Sequence, residues 1–363
     1  MLTATPRIHP AQCTRYRYRY STCSQCVDAC PHAALEARDD GVVLDAMRCR
    51  NCGLCDAACP TGTFHCESLP DPDRLRSLAT RDAVSIACTP SGHEGDLRVP
   101  CLGAIGPTAL AVLVNRGAAV TLRGAGHCEH CEHAATGTGF IDAQMRTLDE
   151  LLDVLTLPEE RRGSCVLERS VGKDTNRFDG GRRAFFRRAL GYVEKASAPP
   201  ASSLFMDVPD AAIRAARHHV PMRRRMLDAL LETGEPGAAR LRPDSLLFAA
   251  TLELETSNCT RCEACARACP TGALDVDESQ QRWTMQFDGR RCVACGVCVE
   301  VCQPGVLYLS GIGAAETPRT LHVCDKLRCD NCNRPFVPLA DEGRCGICGD
   351  DDRDFSDIFG SPS

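Results

Sequence analysis

The sequence predicts an α+β multi-domain protein in which two small, cysteine-rich modules flank a central α/β domain. Three observations predict this class. The 363 residues include 27 cysteines, far above ordinary usage. One cysteine spacing recurs in pairs near both ends of the chain. Between the pairs, strand-like and helix-like segments alternate, which is typical of an α/β unit.

The cysteine count indicates either a disulfide framework in a secreted protein or metal ligands inside a cell. The opening stretch MLTATPRIHPAQCTRYRYRY lacks the apolar core of a secretory signal. No apolar run is long enough to span a bilayer. We therefore expect a cytoplasmic protein whose cysteines are metal ligands. The mild net charge of −6 gives no general indication of nucleic-acid binding.

Four copies of one cysteine motif, the first of them incomplete, lie along the chain in two pairs. CRNCGLCDAACPTGTF from Cys49 and CTRCEACARACPTGAL from Cys259 are close copies, and CVACGVCVEVC from Cys292 is a third. The stretch CTRYRYRYSTCSQCVDACP from Cys13 is a partial fourth. Within each pair, short apolar strands around a polar turn separate the motifs. Two pairs predict two modules with two metal clusters each.

The spacing C-x2-C-x2-C-x3-C-P is typical of thiolates that hold [4Fe-4S] clusters. The first three cysteines of a motif surround one cluster, and the fourth reaches the cluster of the paired motif. Zinc or chance is a poor alternative, because eight cysteines in two copies of one spacing are hard to obtain otherwise. The three complete ligand sets are Cys259, Cys262, Cys265 and Cys302; Cys292, Cys295, Cys298 and Cys269; and Cys49, Cys52, Cys55 and Cys30.

The fourth cluster lacks its first ligand at the expected position. Cys23, Cys26 and Cys59 are correctly spaced, but Tyr20 stands where the spacing requires a cysteine. Cys13 lies further upstream, and a longer loop is thermodynamically inexpensive because closure entropy grows slowly with length. We expect Cys13 to be the fourth ligand. A three-ligand or absent cluster is the alternative.

The two modules resemble the bacterial two-cluster ferredoxins, over residues 13–66 and 255–310. We place the modules at residues 1–70 and 246–315. The resemblance implies a pseudo-twofold fold of β-strand pairs and short helices that holds two clusters close together. Such modules carry single electrons, and their clusters do no bond chemistry on a substrate.

Residues 80–171 are predicted to form the central α/β domain. Cys88 and Cys101 end two strand-like segments, and Cys128 and Cys131 follow a third. The carboxyl ends of parallel strands meet at one edge of a sheet, where open α/β folds bind their ligands. We expect the four cysteines to meet at this edge and bind a cluster. Buried structural cysteines are the alternative.

This central segment also resembles the delta subunit of methyl-viologen-reducing hydrogenases, which hands electrons to heterodisulfide reductase. The matching residues are RVPCLGAIGPTALAVLVNRGAAVTLRG, the cysteine pair and the LDELLDVLTLPEERRG segment. The resemblance implies a [2Fe-2S] cluster and a docking role between an electron-input enzyme and its acceptor. The C-x2-C pair is closer than the usual spacing of that family, and CTPSGHEGD replaces its first cysteine cluster, which leaves the cluster type open.

Three histidines flank the C-x2-C pair of the central domain: His127, His130 and His133. We expect them to be solvated loop residues. A histidine ligand to the central cluster is the alternative.

Residues 172–245 are predicted to be a basic helical linker. The linker overlaps a stretch from Arg161 to Arg225 that contains several arginine clusters. Amphipathic helices with exposed arginines are the plain interpretation, and a docking face for an acidic partner protein is the sharper one. No motif for reading nucleic acid accompanies the charge, so nucleic acid is not the expected partner.

Residues 320–352 contain two C-x2-C knuckles and are predicted to form a zinc-ribbon-like unit. Two knuckles at this separation indicate a closed tetrahedral site, most simply for structural zinc. Mononuclear rubredoxin-type iron is the alternative. The predicted ligands are Cys329, Cys332, Cys345 and Cys348.

The sequence contains no recognisable nucleotide-binding glycine loop, nucleophile–base pair or open metal site. Four [4Fe-4S] clusters, one [2Fe-2S] cluster and one zinc would make the chain a non-catalytic electron-transfer subunit. We expect its partners to be flavin, molybdenum or tungsten, hydrogenase, or heterodisulfide-reductase-like subunits. A free-standing polyferredoxin and a cluster-based sensor or assembly protein are the alternatives. Cys66, Cys165 and Cys324 receive no role.

Overall fold

The computed structural model describes residues 5–155, 164–169, 212–232, 245–311, 318–338 and 343–349. The strands in these ranges are β1 (Arg7–Ile8), β2 (Leu35–Arg38), β3 (Gly41–Leu44), β4 (Phe64–His65), β5 (Ala83–Cys88), β6 (Leu97–Val99), β7 (Ala119–Arg123), β8 (Cys165–Glu168), β9 (Thr251–Leu254), β10 (Leu274–Glu278), β11 (Arg282–Phe287), β12 (Leu307–Ser310), β13 (Arg319–Asp325), β14 (Leu327–Arg328) and β15 (Pro335–Phe336). The α-helices are α1 (Thr14–Arg17), α2 (Gln25–Asp28), α3 (Leu54–Ala58), α4 (Pro72–Leu78), α5 (Pro107–Asn115), α6 (Ala134–Val154), α7 (Met222–Leu231), α8 (Ala264–Ala268) and α9 (Val297–Glu300).

The first module consists of an outer strand pair and an inner hairpin, with a short helix that contains the third cysteine of each motif's triplet. β1 pairs antiparallel with β4, and β2 pairs antiparallel with β3. The turn between β2 and β3 is Asp39–Asp40, and the following Gly41 adopts a φ of +135°. Aspartate and glycine favour such tight hairpin turns. Leu35 and Phe64 form the small core together with several of the cysteines.

The second module repeats this order and adds one strand. β9 pairs with β12, β10 pairs with β11, and β13 pairs antiparallel with the free edge of β11. The start of the predicted tail at residues 320–352 therefore belongs to the sheet of the second module. Trp283, Met285 and Phe287 of β11 are buried. The added strand satisfies an edge that would otherwise expose unpaired backbone groups.

The central domain has a parallel four-stranded sheet in the order β6-β5-β7-β8, as its alternating pattern predicts. Helices α5 and α6 bury apolar side chains in the same core, among them Leu110 and Leu148. α6 begins nine residues before the AQMRTLDELLDVL segment that the sequence pattern marks as helical. Its apolar face keeps Leu148 and Leu152 in the core.

The described part of the predicted linker is residues 212–232. Its chain runs without regular structure to Pro221 and then forms α7. Leu227, Leu230 and Leu231 of α7 pack into the core of the central domain. Most of the basic stretch from Arg161, including the arginine pairs between residues 180 and 190, lies outside the described residues.

Candidate metal centres

The second module contains two cavities, and four cysteines line each one. The first cavity has apolar walls that include Leu254 and Met285. The second has apolar walls that include Leu252 and Phe287. Each cavity holds one predicted ligand set, with the fourth cysteine exchanged between the motifs. The sets are Cys259, Cys262, Cys265 and Cys302, and Cys269, Cys292, Cys295 and Cys298.

Left-handed backbone conformations curve the cysteine loops of both modules around these sites. Asn51 and Gly53 have φ values of 53° and 82° in the first module. The matching positions Ala294 and Gly296 have values of 51° and 77°. A non-glycine residue rarely adopts this conformation, at a cost of about 1 kcal/mol or more. The repeated strain at equivalent positions indicates that the loops are shaped around a ligand.

In the first module, the structure brings together the complete set of Cys30, Cys49, Cys52 and Cys55. The thiol of Cys52 lies close enough to the other three for their charges to interact. Backbone N–H groups also point at the sulfur atoms: Ala34 donates to Cys30 Sγ at 3.3 Å. Such hydrogen bonds favour a thiolate that ligates iron.

Cys13 lies with the incomplete set. It immediately precedes α1, is buried, and lies beside the thiols of Cys59 and Cys23. Cys26 lies beside the thiols of Cys13, Cys23 and Cys59. Tyr20, by contrast, is 66% exposed. The arrangement therefore places Cys13, and not the tyrosine, where the missing ligand would be.

Burial governs the chemistry of these thiols when no iron is bound. It raises the pKa of Cys52 and Cys265 to about 12 and that of Cys292 to about 11. A thiol with such a pKa is a poor nucleophile at neutral pH. Iron binding stabilises the thiolate and displaces the proton. The buried sets are therefore suited to holding metal and not to attacking a substrate.

The central domain brings its four predicted cysteines to the carboxyl edge of the parallel sheet. Cys88 ends β5, and its charge interacts with those of Cys101, Cys128 and Cys131. At Gly124, a Cβ would lie 2.9 Å from Cys88 Sγ, and the residue has a φ of +102°. Only glycine fits this position, so the backbone approaches the cysteine set closely.

His133 differs from the expected solvated histidine. It is buried, and its Nδ1 lies 2.9 Å from Nε2 of His32 in the first module. Cys52 Sγ is within 4.8 Å of both rings. Burial lowers the pKa of both histidines. The pair joins the central domain to one cluster site of the first module, whereas His130 is exposed.

The C-terminal knuckles form a compact site. The sulfur atoms of all four cysteines lie within 4.8 Å of one another. Those of Cys332 and Cys345 are 3.7 Å apart. A tetrahedral site with metal–sulfur bonds of about 2.3 Å requires about 3.8 Å between sulfurs. Backbone N–H groups lower the pKa of Cys329, which favours the thiolate. The set is Cys329, Cys332, Cys345 and Cys348.

The knuckle site and the cubane sites differ in sulfur spacing. Within the described chain, no three sulfurs of a ferredoxin-type or central set lie within 4.8 Å of one another, whereas the knuckle sulfurs do. One ion draws four sulfurs together, while a multi-iron cluster holds them further apart at its corners. The spacing of the knuckle sulfurs therefore fits a single tetrahedral ion.

Two of the remaining cysteines have polar neighbours. Cys66 forms a hydrogen bond with Cys55, and Cys324 Sγ lies 3.0 Å from Nε2 of His322. Cys165 is on β8, outside every cysteine set. These contacts assign no ligand role to the three residues.

Sequence reasoning did not identify three arginines near the cluster sites. Arg17 donates to the backbone oxygen of Cys269. Arg224 donates to that of Cys292 at 2.9 Å, and its neighbour Arg223 forms an ion pair with Asp56 at 3.3 Å. These contacts join segments far apart in the chain. A basic segment gives no signal by which such partners could be found.

Two comparisons with known proteins agree with this arrangement. The family described as "4Fe-4S dicluster domain" matches residues 21–63 and 258–306. A probable iron–sulfur subunit from the Frd operon of Proteus vulgaris is 31% identical over 124 residues, which cover 31% of this chain and 75% of that protein. The first match begins after Cys13, so the family pattern says nothing about that ligand.

The cysteine-lined cavities and the two matched regions define an iron–sulfur protein with two 4Fe-4S dicluster domains. The chain belongs to the family of iron–sulfur proteins that includes the Proteus vulgaris protein. It is an electron-transfer protein with [4Fe-4S] clusters. None of the helices in the described residues is long and apolar enough to cross a membrane.

Proposed function

We propose that this chain is the electron-transfer subunit of a cytoplasmic multi-subunit oxidoreductase. It relays single electrons between a catalytic subunit and an acceptor subunit. The observation that carries this proposal is the pair of adjacent cavities in the second module, each lined by four cysteines. Two neighbouring cluster sites with apolar walls suit electron transfer.

The relative supports the part of the proposal that concerns a complex. The Proteus vulgaris protein is named a probable iron–sulfur subunit of the Frd operon, and it is similar to about a third of this chain. We propose flavin, molybdenum or tungsten, hydrogenase, or heterodisulfide-reductase-like subunits as the partners.

We propose four [4Fe-4S] clusters in the two modules, held by the sets described above. When bound, each cluster supplies a one-electron couple. The chain binds the iron through cysteine thiolates, excludes water with apolar side chains and directs N–H groups at the sulfurs. Exclusion of water and hydrogen bonds to sulfur are two of the means by which a protein sets a cluster potential.

We propose a [2Fe-2S] cluster for the central domain and zinc for the knuckles. Two observations support the first: the resemblance to the delta subunit of the hydrogenases, together with the convergence of Cys88, Cys101, Cys128 and Cys131. The short sulfur–sulfur distances support the second. Because zinc has no redox chemistry, the knuckle unit would be structural.

The test is anaerobic purification after native expression, with counts of iron, zinc and sulfide and identification of co-purifying chains. We expect about eighteen irons, one zinc and a catalytic redox partner. Purification of a cluster-loaded chain with no partner would favour the free-standing polyferredoxin. A chain that lacks clusters would contradict the proposal, and cluster-dependent nucleic-acid binding with a steep salt dependence would favour the sensor.

A further inference from the structure

The segment between Cys13 and Cys23 docks onto the second module. Tyr18 is part of the apolar core of that module and is 7% exposed. Its backbone forms an antiparallel bridge with Ile213. On either side, Arg19 N donates to Ala212 O at 3.0 Å, and Arg214 N donates to Arg17 O at 2.8 Å. The residues that lengthen the first motif thus form the contact between modules.

Hydrogen bonds tie the same segment to α9, the helix of the last cysteine motif. The carboxylate of Glu300 accepts from Ser21 Oγ at 2.7 Å and from Thr22 N at 3.1 Å. Thr22 directly precedes Cys23. The thiols of Cys23 and Cys295 lie close enough for their charges to interact. One cluster site of each module therefore lies at this contact.

Arg17 lies in the contact with none of its surface exposed. Its guanidinium donates to Ala11 O at 2.9 Å, to Cys269 O at 3.4 Å and to Arg217 O. All three acceptors are neutral backbone oxygens. Within the described residues, the groups whose charge acts on Arg17 are the thiols of Cys269 and Cys295, which line the same site, and the phenol of Tyr16.

A buried cation is costly unless an anion compensates it. An iron–sulfur cluster with four thiolate ligands is anionic and becomes more so when it accepts an electron. A cluster in the site of Cys269 and Cys295 would provide the compensation that the backbone oxygens around Arg17 cannot. Conversely, the positive charge would favour the reduced state of that cluster, because Coulomb energies are large where water is excluded.

We propose that electrons cross between the two modules at this contact and that Arg17 raises the reduction potential of the cluster in the Cys269 site. This inference rests on the proposed electron-transfer function. One electron would leave the reduced cluster on one side and enter the oxidised cluster on the other, so the transfer balances. The paired sets are Cys13, Cys23, Cys26 and Cys59, and Cys269, Cys292, Cys295 and Cys298.

Other close pairs of thiols extend the proposed electron path beyond this contact in both directions. Cys26 interacts with Cys55 inside the first module, and Cys298 interacts with Cys265 inside the second. At the outer end of the first module, Cys52 packs with Cys101 of the central domain. The relay then runs from the central set through both sites of the first module and both sites of the second. Its last site contains Cys262, which is exposed.

The test is a redox titration of full-length Arg17→Gln and Arg17→Lys, followed by electron paramagnetic resonance. In Arg17→Gln we expect one of the four cubane clusters, that of the Cys269 site, to become harder to reduce by about tenfold, or about 59 mV for a one-electron couple. Arg17→Lys keeps the charge and should retain most of the wild-type potentials. Equal shifts in all four clusters, or no shift, would overturn the proposal.

Arg19→Gln is the matched control. Arg19 lies in the same segment, but its side chain is 42% exposed and pairs with Asp39 at 3.7 Å. Solvent screens such a charge, so its loss should leave the four potentials unchanged. If Arg19→Gln shifts the same cluster as much as Arg17→Gln does, the effect does not depend on the buried charge and the proposal fails.

A second measurement covers the case in which Arg17→Gln does not fold. In the partly reduced wild-type chain, clusters of different modules should show magnetic spin–spin interaction. A Cys13→Ser variant that lacks its cluster should lose that interaction and keep the interaction within the second module. If spin–spin interaction is found only within single modules, electron transfer across this contact is refuted. A chain with no cubane clusters would instead refute the proposed function itself.

Discussion

Cys13 shows how one ligand can come from outside the local cysteine spacing. It ends a short 3-10 turn and directly precedes α1, so a compact helical turn replaces the two-residue gap of the intact motifs. Arg15 Nε also donates to the backbone oxygen of Cys23, which fixes the far end of the loop. The loop is ordered by these contacts, so its length need not weaken the site.

Replacement of Cys13 by serine should remove one cubane cluster. Hydroxyl oxygen is a poor substitute for a soft thiolate, so we expect about four fewer irons per chain. Iron and sulfide counts with electron paramagnetic resonance measure this. Cys165→Ser is the control, because that thiol lies on β8 outside every set. Unchanged iron in Cys13→Ser would show that the cluster is absent or is held by other ligands.

Three consecutive arginines of α7 allow a second test at the residue scale. Arg224 is buried and donates to Cys292 O and Gly289 O at 2.9 and 2.8 Å. Its replacement by methionine should destabilise the second module by about 3 kcal/mol, because charge-assisted hydrogen bonds contribute about 1.5–3 kcal/mol each. Anaerobic denaturant titration, followed by loss of cluster absorbance, measures the change.

Arg225→Met is the control for that variant. Arg225 is the next residue on the same helix and is exposed. We expect a change within about 0.5 kcal/mol, which is usual for surface substitutions. Equal destabilisation by both variants would mean that the contacts of Arg224 with the second module contribute nothing beyond the stability of α7.

At the scale of elements, the knuckle hairpin of β14 and β15 should depend on one metal ion. Cys348→Ser removes one of four sulfurs, so we expect zinc to fall from about one per chain to near zero while iron is unchanged. Elemental analysis measures both. Cys324→Ser is the control, because Cys324 lies on β13 outside the knuckle set. A loss of one iron, with zinc absent throughout, would instead identify a rubredoxin-type site.

Elements within one motif could be predicted from sequence, and contacts between motifs could not. The cavity around Cys259 follows from local spacing, and the exchange of Cys302 follows from the pairing of two motifs. The parallel sheet that ends at Cys88 follows from alternating strand and helix patterns. No local pattern indicates that Tyr18 enters the other module or that His133 meets His32. These contacts depend on how the folded modules pack against one another.

The pairing of β13 with β11 likewise could not be predicted from the sequence. The segment is a short strand in the tail, and it pairs with β11 because β11 has a free edge. A strand edge accepts any segment that can reach it in register. The boundary between the second module and the tail therefore could not be read from the chain alone.

At the scale of the whole molecule, the number of electrons taken up should equal the number of clusters. We expect about five electrons per oxidised chain, one for each cubane and one for the central cluster. Reductive titration under anaerobic conditions measures this. Cys101→Ser, which alters only the central set, should lower the number by about one. Uptake of four electrons by both proteins would mean that the central cysteines hold no redox cluster.

The contact between Tyr18 and Ile213 also has a consequence for biogenesis. The ribosome delivers Tyr18 early, yet Ile213, which pairs with it, emerges almost two hundred residues later. The residues that pack against the Cys30 site, Cys101 and His133, emerge well before Ile213, so this site can mature while translation continues. We expect the Cys13 site to receive iron last among the sites of the first module. Pulse-labelling with radioactive iron during synthesis measures that order, and simultaneous loading of both sites would contradict it.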